Sequence, residues 1–109
     1  MYGVLVLPFR TAKALVMAIH AYPLILRDDY NGFRQILPDL PEDYEKWSYE
    51  VERKKAKDRH AYESGGGSFE SHDVRVNGGK FVEYCQRIKS SPTISVLYNF
   101  VNESPLDHS

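Results

Sequence analysis

The sequence predicts an α+β domain: a small sheet of two or three short strands packed with about five helices, including one long charged helix over about residues 41–64. Three observations carry this. Tyr2 to Leu7 is a continuous apolar run of strand length, and Phe69 to Val76 is a second strand-like segment. Elsewhere the apolar residues recur at helical spacing. The length of 109 residues and an apolar fraction of 42 % suit one domain, 1–109, with a single core.

Taken in order, YGVLVL (residues 2–7) has the Val content and length of a strand buried on both faces, closed by Pro8. Thr11 is placed to cap a helix over Ala12 to Ala21, with Leu15, Ile19 and Tyr22 on one face. Pro23 ends it, because the residue before a proline is pushed out of the α region. Leu24 to Leu26 is then a third short strand or a buried connection. Asp28 or Asp29 caps a short helix with Tyr30, Phe33 and Leu37 inward, although Gly32 costs it roughly 1 kcal/mol relative to alanine.

Pro41 stands at the expected first position of the long helix. From Glu42 to Arg59, twelve of eighteen residues are charged, and Tyr44, Trp47 and Val51 form the single apolar stripe. Its acids lie in front and its bases behind, which suits the helix dipole at both ends. Gly65 is the expected left-handed residue that closes it. Ser64 to Ser68 is a flexible Gly-rich loop, and its composition is also that of an engineered linker.

In the strand 69–76, Val74 and Val76 share a face, and Tyr2 to Leu7 is its expected partner. Asn77-Gly78-Gly79 breaks it. Lys80 to Lys89 is helical, with Phe81, Tyr84, Cys85 and Ile88 on one face. Ser91-Pro92 starts a last helix through Glu103, with Ile94, Leu97, Tyr98 and Val101 inward; its β-branched content leaves a strand as the alternative. Residues 104–109 are expected to fray.

Composition and charge exclude more than they identify. A net charge of −1 argues against a nucleic-acid binder driven by global charge. The single cysteine, Cys85, excludes an internal disulfide and points to a reducing compartment. No run approaches the ~20 apolar residues of a membrane span. The N-terminal apolar run has no basic start and is interrupted by Arg10 and Lys13, unlike a signal sequence. A cytoplasmic protein is the expectation.

The candidate binding surface is the basic run on the long helix: Arg53, Lys54, Lys55, Lys57 and Arg59. Against a nucleic-acid role stand Asp58 inside the run and the acidic front of the same helix. Lys80 to Glu103 has the outline of a helix-turn-helix, but the second helix has no Arg or Lys to position it on phosphates, which favours an αα-hairpin packed on the core. Ser71-His72-Asp73 resembles a catalytic triad in composition alone, since His72 would point to the opposite sheet face from its neighbours. Lys57, Arg59, His60 and Tyr62 could serve a small ribonuclease, in which a histidine and a cation act on one phosphate.

His20, His60, His72, His108 and Cys85 lack the paired spacings of metal ligands. Cys85 is expected to be a buried, inert thiol and His20 a satisfied core histidine. No catalytic residue, metal or cofactor is expected. The leading expectation is a small interaction or accessory protein acting through a protein–protein surface, as a homodimer, with no membrane partner. The alternatives are a nucleic-acid-binding regulator using residues 53–60 and a small RNase-like toxin.

Overall fold

The structure is a computed structural model that describes residues 17–103. The expected strand at Tyr2 to Leu7 and the expected frayed tail lie outside the described residues. Within them the fold is α+β, with a two-stranded parallel sheet and four helices. The order is β1 (Met17–Leu24), α1 (Arg27–Ile36), α2 (Tyr44–Glu63), β2 (Ser68–Arg75), α3 (Gly78–Ile88) and α4 (Ile94–Glu103).

The main correction concerns the first segment. Residues 17–24 form strand β1 where a helix over Ala12 to Ala21 was expected. Both periodicities fit the short run MAIHAYPL, and pairing with β2 decided between them. The register runs from Met17 opposite Ser68 to Leu24 opposite Arg75, so β2 is paired by this strand. Pro23 is tolerated because its missing N–H lies on the outer edge of β1, away from the ladder. The geometry at Ala21, two residues earlier, fixes that edge: its N–H donates to Asn102 Oδ1 at 2.8 Å, and its C=O accepts from Asn102 Nδ2 at 2.9 Å. The carboxamide on α4 thus stands where another strand would.

Several helix ends differ from expectation by a turn or less. Helix α1 begins at Arg27 after Leu26, so Asp28 and Asp29 occupy its first turn and do not cap it. Helix α2 begins at Tyr44, not at Pro41: Asp43 is the cap and its carboxylate accepts from Glu45 N–H at 3.2 Å. The carbonyl of Pro41 instead accepts from Tyr30 Oη at 2.5 Å. At the other end Gly66, with φ of 90°, takes the left-handed conformation expected of Gly65. Asn77 is no simple breaker, since its side chain accepts from Lys80 N–H at 2.9 Å and starts α3 at Gly78. Thr93 Oγ1 and Asp39 Oδ2 accept the first N–H groups of α4, at Val96 and Ile94.

Helix α2 lies on one face of the sheet, α4 lies along β1, and α3 joins α4 to α1. The largest fully buried side chains are Tyr22, Ile25, Leu37, Phe81, Leu97 and Val101. Trp47, Val51, Phe33 and Tyr84 are buried with them. Cys85 is buried on α3, as its helical position predicts, and burial pushes its thiol pKa up. Ile88, expected on that same inner face, is 42 % exposed. Among the described residues no helix is long and apolar enough to cross a membrane.

Candidate functional site

The basic run of α2 is divided by helical geometry, because residues three and four apart share a face while neighbours diverge. Lys54 turns toward α4, 3.4 Å from Asp58 Oδ2 and over the Tyr98 ring at 5.3 Å. Lys55 turns toward the sheet and is clamped between Glu52 at 2.9 Å and Asp73 of β2 at 2.7 Å. Burial opposes its charge, but bonds to the two carboxylates more than offset this and hold its pKa above the usual lysine value. Arg59 pairs with Glu63 at 3.7 Å and lies over Phe69 of β2 at 5.2 Å.

Arg53 and Lys57 point outward and have no ion-pair partner among the described residues. They continue a stripe that the sequence reading missed: Lys46, Tyr49, Arg53, Lys57 and His60, all exposed. Tyr49, at 65 % exposure, sits among these cations. The steps of three and four residues were legible in the sequence. What hid the stripe was the run of adjacent cations, which gave no sign that Lys54 and Lys55 belong to the opposite face.

Beneath the inner face lies a polar knot around Asp58. Its carboxylate accepts from Tyr22 Oη at 2.6 Å, pairs with Lys54, and lies 4.0 Å from His20 Nδ1. Burial, with the bond to Asp58, raises the Tyr22 pKa, and burial pushes Tyr98 up to about 12. His20 is therefore not a core histidine closing a helix. It is half-buried on a strand, with its ring edge-on to Tyr62 at 5.3 Å and beside Phe69 at 5.4 Å.

The other constellations are not assembled. His72 pairs with Glu70 at 3.0 Å on one side of the sheet, while Asp73 pairs with Lys55 on the other. Arg59 and Tyr62 lie against Phe69, whereas Lys57 and His60 face solvent, so these four do not converge on one phosphate. In α4, Leu97, Phe100 and Val101 are buried and Asn102 is committed to β1, so that helix is packed as half of an αα-hairpin. Among the described residues no three His, Cys, Asp or Glu side chains gather as metal ligands do. Compared with known proteins, the chain matches no family model, and no curated protein or solved structure matches it.

Proposed function

We propose that this is a small interaction protein that acts through a protein–protein surface, and that the outer stripe of α2 is that surface. The observation that supports it best is the division of the cations. Lys54, Lys55 and Arg59 are neutralised against acids and rings, which leaves Lys46, Arg53 and Lys57 around an exposed tyrosine. Tyrosine and arginine are enriched among residues that dominate binding energy at protein interfaces. The complementary partner is an acidic protein surface.

A nucleic-acid regulator would draw on the same face with only three free cations. Its binding would have a salt slope of roughly −3 and would be weak at physiological salt. Self-association belongs to the same proposal. The outer edge of β1 is occupied by Asn102, while β2 has no second partner strand among the described residues, so a homodimer would form along β2. The lone buried thiol suits the cytoplasm as the proposed location.

The test immobilises wild-type protein and the triple variant Tyr49→Ala, Arg53→Glu, Lys57→Glu, and exposes both to extract of the native host with and without nuclease treatment. A protein held by the wild type and lost by an equally stable variant is the expected result. Retention by both would remove α2 from the interface, and a partner lost on nuclease treatment alone would favour the nucleic-acid reading. Sedimentation equilibrium decides the dimer: a mass of 12.6 kDa at every concentration would exclude it.

A further inference from the structure

A cleft of about 750 Å³ opens beyond the carboxyl end of β2, between α1 and α3. Small-molecule sites span roughly 300–1,000 Å³, and in open parallel sheets they lie outside the carboxyl ends of the strands. Phe33, Ile36 and Val76 line it from the core side, Phe33 and Val76 nearly buried and Ile36 half-buried. The rim is charged. Asp29 pairs with Arg75 across it at 3.4 Å, while Asp28 has no ion-pair partner among the described residues. The rim thus has one negative charge in excess.

Two glycines line this cleft, Gly32 and Gly78. Gly32 lies in the interior of α1, where glycine costs roughly 1 kcal/mol relative to alanine. Packing does not require it, since a Cβ built there would meet nothing within 4 Å. What such a side chain would enter is the cleft. Gly78 forms the opposite wall, where a Cβ would sit in ordinary contact with Ile36 Cδ1 at 3.4 Å and Phe33 Cζ at 3.7 Å.

We propose that the cleft is a binding site for a small organic amine with an apolar body, the body lying on Phe33, Ile36 and Val76 and the ammonium group pairing with Asp28. Three probes share one phenyl body and differ only in charge: phenethylamine, phenylalanine and hydrocinnamate. Amide proton–nitrogen correlation spectra of the full chain are followed with each at millimolar concentration. Phenethylamine should shift the Asp28, Phe33, Val76 and Gly78 signals saturably, phenylalanine should bind more weakly, and hydrocinnamate should give no saturable shift.

Gly32→Leu should abolish the phenethylamine response while leaving Tm equal or higher, because leucine improves the helix and fills open space. Asp28→Asn should weaken phenethylamine roughly two- to fivefold, the scale of one exposed ion pair. Hydrocinnamate binding as tightly as the amine would overturn the proposal. So would the absence of any saturable shift, or a Gly32→Leu variant that binds like wild type.

Discussion

Replacing Asn102 tests the edge of the sheet most directly. Its carboxamide makes two bonds to Ala21, at 2.8 and 2.9 Å, and a third to the Tyr98 carbonyl of its own helix at 2.9 Å. The third lies on the helix surface and contributes little. Each bond to Ala21 is worth about 1 kcal/mol net, and alanine regains about 0.5 kcal/mol of helix propensity. Asn102→Ala should therefore destabilise the protein by about 1.5 kcal/mol, which for a domain of this size lowers Tm by about 6–12 °C. Calorimetry measures the loss, and exchange of the Ala21 amide, which should accelerate, localises it. Asn102→Asp sharpens the test, because a carboxylate still accepts from the Ala21 N–H but opposes its carbonyl. That variant should be less stable than Asn102→Ala at neutral pH and recover part of the difference in acid, where the protonated acid can donate. An Ala21 amide exchanging as in wild type, with Tm unchanged in both variants, would refute the assignment of Asn102 as the cap of β1.

Trp47 is 3 % exposed at the centre of the α2 stripe, so Trp47→Ala should cost about 3–5 kcal/mol in chemical denaturation; an unchanged midpoint would mean that the stripe is not core. Cys85 should react with a thiol reagent slowly when native and rapidly in denaturant, since burial both shields it and raises its pKa. Alkaline pH should destabilise the fold. Tyr22, Tyr98 and Lys55 all have folded pKa values raised above the unfolded ones, so each contributes stability that is intact below about pH 10 and lost as pH rises through the folded values. Denaturation from pH 8 to 12 should show this decline, and Tyr22→Phe should make it shallower.

The helices were legible in the sequence because each buries a face through local periodicity. Phe81, Tyr84 and Cys85 on α3, Leu97 and Val101 on α4, and Trp47 and Val51 on α2 are spaced by three or four residues, and all are buried. Strand β2 was legible from the alternation of Val74 and Val76, and it lies within a residue of its expected span. Helix ends were less so, because Asp, Asn and Pro near one boundary compete for the cap. At the start of α2, Asp43 prevailed over Pro41.

Strand β1 could be decided only by tertiary structure. MAIHAYPL is too short for its periodicity to decide between helix and strand, and its proline argues against either interior. The ladder to β2, some fifty residues away in sequence, and the Asn102 carboxamide on its other edge decide the matter. The same holds for the candidate sites. Which cations of α2 are neutralised depends on Asp73, Phe69 and Tyr98 reaching them from other elements. The cleft exists because α1 and α3 meet at the end of β2. Local periodicity determines what each segment buries, but pairings between distant segments depend on charges and edges that no short window of sequence contains.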